Sequence, residues 1–265
     1  MVIIMGYLQQ LLIICPLVFL AGFVDAVAGG GGLISLPAYI FAGLPILNAA
    51  ATNKFAMSLG TATSAIKFAK SGKITIVPAL FTAGGAFVGS WCGTQIALHI
   101  NENTLKLLLA VVLPLVAVFL IFKPNFGSDI EKIKVKTNAR LYTYMALIGL
   151  ALGLYDGLIG PGTGTFYILA FGGVIGYSMT TSSGNAKIGN LASNVASLLA
   201  YLISGKVLFL IALPAAAFTM LGNYVGSRAA IKNGSKIIKP IMVFVIVILF
   251  FKLIIDVFNL SLFGL

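Results

Sequence analysis

Asp25 and Asp156 each stand in an apolar stretch, and each is followed four residues later by a glycine cluster. The first cluster is Gly29, Gly30, Gly31 and Gly32. The second, 131 residues further on, runs Gly160, Pro161, Gly162, Thr163, Gly164. Four consecutive glycines do not hold a helix, because each costs roughly 1 kcal/mol relative to alanine. A glycine backbone can instead present several N–H groups in one concave turn. A short helix starting just after each cluster, at Leu33 and at Thr165, adds the partial positive charge of its N-terminus. The chemistry this suits is capture of an anion between two opposed helix starts. The competing explanation is close helix packing through small residues. Duplication of the break favours the site, since matching interruptions in two halves of a hydrophobic chain point to where a solute binds.

Two further elements carry donors and charges. Asn53-Lys54 recurs as Asn185-Ala186-Lys187, at the start of a long apolar segment in each half. Amide and ammonium groups there suit an oxyanion or its counter-charge. The bland alternatives are N-capping by asparagine and a lysine that reaches out to the membrane interface. Ser58, Thr61 and Ser64 continue one polar stripe, and Asn190, Ser193, Asn194 and Ser197 the other, at the three- and four-residue spacing of a helix face. Asp25 and Asp156 are carboxylates inside apolar sequence, a rare placement that implies either proton coupling or pairing with Lys54 and Lys187.

The elements that must position these residues are membrane helices. Sixty per cent of the chain is hydrophobic and 9% charged, whereas a soluble domain carries about 25% charge. Ten apolar segments are expected, roughly at 3–28, 33–44, 49–70, 74–98, 104–122, 140–160, 164–179, 185–203, 206–228 and 237–259. The second and seventh are short, which suits re-entrant helices. The fold class expected is an all-α polytopic membrane protein of two inverted repeats, each with about five hydrophobic segments. Repeat 1 covers 1–123, a cytoplasmic linker 124–139, and repeat 2 140–265. Other matches keep the halves in step: Ser71-Gly72-Lys73 with Ser204-Gly205-Lys206, Gly85-x-x-x-Gly89-Ser90 with Gly222-x-x-x-Gly226-Ser227, and Lys106 with Lys239. Both Gly-x-x-x-Gly-Ser elements fit helix packing.

Charge orients the chain. The stretch Lys123–Arg140 holds five basic residues and Arg228–Lys239 four, so both are expected on the cytoplasmic side. Four segments separate them, which returns the chain to the same face. His99–Lys106, equivalent to Arg228–Lys239 by repeat, carries only Lys106 against Glu102. Opposite charge bias in equivalent loops is what inversion produces, and it leaves both termini outside.

Several function classes lose ground. The net charge of +11 lies between apolar runs, where membrane topology puts it, and no nucleic-acid partner is expected. Neither cluster fits G-x-G-x-x-G or a P-loop. With one histidine (His99) and two cysteines (Cys15 and Cys92) there are few parts for a zinc site or a triad, so neither cofactor nor metal is expected. Met1 to Gln10 lacks the basic start of a secretory signal.

The Asp25–Gly31 and Asp156–Gly162 pattern, the Ala51-Thr52-Asn53-Lys54 run and the Ser-Gly-Lys ends together resemble the sulfite exporter TauE/SafE family over almost the whole chain. The resemblance implies about eight spans and a carrier in a bacterial or archaeal inner (plasma) membrane. It implies sulfite, a sulfonate or a related organosulfur anion as substrate, and a potential or proton gradient as driving force. The expected partners are that small anion and the lipid bilayer, with a homodimer left open. A passive anion channel is the main alternative, and an intramembrane enzyme a weaker one. The expected substrate-binding residues are Gly29 to Gly32, Asn53, Lys54, Gly160, Gly162, Thr163, Gly164, Asn185, Lys187 and Asn190, with Asp25 and Asp156 as coupling or structural carboxylates.

Overall fold

A computed structural model describes residues 6–101, 104 and 139–245. The expected fifth segment, almost all of the linker and the second half of the tenth segment lie outside the described residues. Within them the chain is helical and no strand occurs. The helices are α1 (Tyr7–Ala28), α2 (Gly32–Phe41), α3 (Ile46–Lys70), α4 (Ile76–His99), α5 (Ala139–Leu158), α6 (Thr163–Ala170), α7 (Met179–Ile203) and α8 (Phe209–Asn233). A π-helical turn, Phe171–Ile175, extends α6, and a further helix begins at 235.

Four of these, α1, α4, α5 and α8, are long and apolar enough to cross a bilayer, while α2 and α6 with its π turn are too short. Helices α3 and α7 have the length, at 25 residues each, but spend it on buried polar side chains. They lie at the centre. α3 packs on α8, α7 on α4, and α3 on α7, while the outer pairs are α4 with α5 and α1 with α8. The outer faces are apolar and exposed, as at Leu80 and Val88 of α4, Leu150 of α5 and Leu213 and Leu221 of α8. Such faces suit lipid.

Each helix end has a local cause. α1 stops at Gly29, which adopts a left-handed φ of 76° and returns its N–H to the Asp25 carbonyl at 2.8 Å. The Ser-Gly-Lys repeats are also helix caps. Gly72 (φ 70°) and Gly205 (φ 65°) turn the chain, and Lys73 N–H and Lys206 N–H reach back to Phe68 O and Tyr201 O, both at 3.1 Å. This six-to-one bond is the Schellman pattern.

Two pairs of long helices share one register. α3 and α7 start at Ile46 and Met179, and α4 and α8 at Ile76 and Phe209, a constant offset of 133. Gly89 therefore matches Gly222 and Gly93 matches Gly226. The Gly-x-x-x-Gly-Ser alignment read from sequence was one helical turn out. Packing explains the slip, because glycines recur every turn along both outer seams. In the α4–α5 seam a Cβ at Gly89 would strike the Leu150 backbone, and one at Gly153 the Ala86 backbone. In the α1–α8 seam a Cβ at Gly222 would strike Phe19, and one at Gly226 Phe23. Both elements act as close-packing surfaces, as expected.

α7 starts six residues before the 185 read from sequence. Ser178 caps it, accepting from Thr181 N–H at 3.2 Å. Thr180 to Gly184 resemble a loop in composition but fill its first turns, buried against neighbouring helices.

Candidate functional site

The two glycine breaks meet at the centre of the described structure. Gly29 and Gly164 touch so closely that a Cβ on either would fall on the other's backbone, and Thr165 Oγ1 donates to Ala28 O at 2.7 Å across the junction. α2 starts at Gly32 and α6 at Thr163, capped by Gly162 with φ 86°. Gly32, Thr163 and Gly164 all line one small, open cavity. Each helix start carries roughly half a positive charge, so the two together bring on the order of one unit to this cavity.

The charged side chains cross between the halves. Lys54 of α3 bonds Asp156 of α5 at 2.6 Å, and also Asn194 Oδ1 at 3.0 Å. Lys187 of α7 bonds Asp25 of α1 at 3.3 Å, and its ammonium also donates to the Asp25 backbone carbonyl. Asp156 further accepts from Ser193 at 2.5 Å and from Thr163 at 3.0 Å, while Asp25 accepts from Asn190 at 3.4 Å. The lysines match each other in the 133 register, so the two pairs are reciprocal. Two lysines with two aspartates leave no net side-chain charge, and the field an incoming solute meets comes from the helix starts.

The pairs differ in access. Lys54, Asp156 and Asp25 line the cavity, but Lys187 does not and is fully buried. The lysine that reaches the interface and the capping asparagine, both weighed from sequence, are overturned. Lys54 and Lys187 lie buried within their helices, and Asn53 and Asn185 stand two turns inside α3 and α7. The cause is the earlier start of each helix, at Ile46 and Met179, which leaves these residues about two turns from its end.

Of the remaining expected site residues, Gly29, Asn53, Gly160, Gly162 and Asn190 line the cavity, while Gly30, Gly31 and Asn185 do not. Gly30 packs on Val245, and Gly31 fits against Ala21, Asp25 and Met57. Asn185 accepts the Thr75 N–H and hydroxyl at 3.3 and 2.8 Å, tying α7 to the start of α4. Thr52 does the same in the other half, accepting Leu208 N–H at 3.2 Å. In the 133 register Thr52, not Asn53, is the counterpart of Asn185.

Asn53 stands apart. It is 9% exposed, it lines the cavity, and its Oδ1 has no partner among the described residues. A buried amide oxygen without a partner costs about 1–3 kcal/mol unless something else meets it. Asn53 thus carries an unused polar group beside the space a solute would fill. Its oxygen and nitrogen can exchange by a flip of the amide, so it can present a donor to an anion.

The apolar part of the lining, with Leu36, Ile46, Met57 and Tyr201, was not anticipated. Tyr201 lies seven residues after Asn194 and fourteen after Lys187, so it shares their helix face, and that spacing was a usable signal. Asn194 was placed on the polar stripe but not in the site, although it is four residues from Asn190.

The sequence matches the family described as "Sulfite exporter TauE/SafE" over residues 14–253. The chain belongs to that family. Its members are membrane transporters rather than enzymes, and this chain is one of them. It is 34% identical to "Probable membrane transporter protein ORF9" of a Sinorhizobium species over 238 residues, 90% of each chain. It is 30% identical to "Probable membrane transporter protein YfcA" of Escherichia coli K12, covering 89% of this chain and 87% of the relative. A third relative, "Probable membrane transporter protein YdhB" of Bacillus subtilis, is 25% identical over 82% of this chain and 89% of its own. No solved structure gives a significant match.

Proposed function

We propose that the protein is a secondary transporter of a small anion, a sulfur oxyanion such as sulfite, bound in the cavity where the two breaks cross. The observation that carries this reading is the convergence on one space of both helix starts, the Lys54 ammonium and the unpartnered Asn53 amide. Fixed backbone dipoles and the Lys54 ammonium are the groups that would meet a compact anion, while Asp25 and Asp156 on the same cavity are each held by a lysine. The family description, a sulfite exporter, supports sulfur oxyanions as the class. The reciprocal pairing of elements supports two repeats that rock about a shared central site in the inner membrane.

Proteoliposomes holding the purified full chain are expected to accumulate at least one of sulfite, thiosulfate, sulfoacetate and taurine above its external concentration when a gradient is imposed. Entry that stops at equal concentrations identifies a channel, and no entry of any of them contradicts the reading.

In this reading four crossings separate the two basic stretches and return them to one face. Single cysteines introduced at Asn138 and Ser235 are expected to react with an impermeant thiol reagent from the cytoplasmic side alone. Reaction from opposite sides would overturn the five-plus-five topology.

A further inference from the structure

The two crossed ion pairs are built from the same residue types but in different cages, and the difference bears on proton movement. Asp25 is held by the Lys187 ammonium, which can only donate and reaches both its carboxylate and its backbone carbonyl, with the Asn190 amide nitrogen at 3.4 Å, so this cage suits a carboxylate. Asp156 is held by Lys54 and by two hydroxyls. Each of those hydroxyls has a second acceptor within reach: Ser193 Oγ lies 3.0 Å from Asn190 O, and Thr163 Oγ1 lies 2.6 Å from Gly160 O. If both hydroxyl protons swing to these carbonyls, their lone pairs face Asp156. The cage then accepts a hydrogen bond from a protonated carboxyl as readily as it donates to an ionised one. Lys54 likewise has a second partner, Asn194 Oδ1 at 3.0 Å, that holds it when Asp156 lets go.

Resting on the transport reading above, we propose that Asp156 carries the coupling proton. The anion takes the Lys54 ammonium, and Asp156, having lost its counterion, takes one proton from water at the cavity. Charge balances for a monoanion such as hydrogensulfite, and a dianion leaves one negative charge for the two helix starts to meet. The resting site holds one ammonium and one carboxylate, and the loaded site holds one ammonium, one anion and one neutral carboxyl. Without the proton, a monoanion would leave two negative groups beside one ammonium in a largely desolvated space. The other ionisable groups around Asp156 are Tyr155 of α5, Tyr167 of α6, Tyr201 and Lys187 of α7, and Asp25 of α1. Tyr155 and Tyr167 donate to backbone carbonyls, and Lys187 and Asp25 hold each other. α4 contributes the neutral hydroxyls Ser90 and Thr94, both engaged with Ser197.

The test uses the reconstituted full chain with sulfite and thiosulfate as probes. Infrared difference spectra are expected to gain the carbonyl stretch of a protonated carboxyl when the anion binds, and Asp156→Asn should lack that band. With the membrane potential clamped at zero, a gradient of about one pH unit should drive about tenfold accumulation by the wild type at one proton per anion. Asp156→Asn should exchange anion without accumulating it. Should that variant fail to fold, the wild type alone decides: anion entry without co-movement of a proton overturns the assignment. So does a band that persists in Asp156→Asn. Binding and transport of the anion without the band would refute the coupling role but leave the transport reading intact, whereas no binding of either probe removes both.

Discussion

Lys54→Ala is expected to lose both thermal stability and anion binding. The substitution strands the Asp156 carboxylate among two hydroxyls, in a site where Lys54 and Asp156 are 7% and 3% exposed. Breaking a buried pair by removing one partner costs up to about 3–5 kcal/mol while the remaining group stays ionised, and less where Asp156 takes up a proton. A lower melting temperature of the detergent-solubilised protein at neutral pH checks the first loss. Replacing both partners, as Lys54→Met with Asp156→Leu, should recover most of the stability, since apolar substitutes for a buried pair are often neutral or better. It should not recover binding, because the accessible ammonium is gone. This split distinguishes a lysine that serves only the fold from one that also meets solute. A double variant that binds anion as tightly as the wild type would assign Lys54 to the fold alone.

Much of this site was legible in the sequence because membrane burial makes polar residues conspicuous. Asp25, Asp156, Lys54 and Lys187 stand out in apolar sequence, and they do pair. What could not be read was who pairs with whom. Each lysine reaches the aspartate of the other half, a distance of 102 residues for Lys54 and 162 for Lys187 along the chain. Nothing in local spacing encodes that. The glycine clusters were correctly read as helix breaks, but composition gave every glycine the same role. The structure separates them: Gly30 and Gly31 serve packing, Gly32 and Gly160 face the cavity, and Gly29 and Gly164 do both. Helix starts were misplaced where buried Ser and Thr resemble a loop, as in Thr180 to Ser183. That error is what put Asn185 at a helix end, whereas Asn53 moved inward because α3 starts at Ile46, three residues before the expected 49.

The separation of the glycines yields the second large effect. Gly29→Ala should abolish recoverable folded protein. Its Cβ would overlap the Gly164 and Thr165 backbone, and its φ of 76° strains any L side chain. The overlap is with backbone, which no rotamer change relieves, so the cost lies beyond the about 1–3 kcal/mol of ordinary overpacking and adds to the backbone strain. Size-exclusion profiles in detergent would show aggregate in place of a single peak. Gly32→Ala is expected to behave differently. Gly32 has an ordinary φ, and a Cβ there meets only Pro161 Cα at 3.3 Å, with Pro161 N and Gly160 O at 3.8 and 3.9 Å. A shift of a few tenths of an ångström accommodates it. The new methyl group stands at the start of α2, against Pro161 and Gly160, which line the cavity with Gly32 itself.

The most direct test of the central claim is therefore the dissociation constant for labelled sulfite or thiosulfate, measured on purified Gly32→Ala beside the wild type. A normally folded variant should bind at least about tenfold more weakly, the equivalent of roughly 1.4 kcal/mol. A normally folded variant with undiminished affinity would contradict an anion site at the crossing of the two helix breaks.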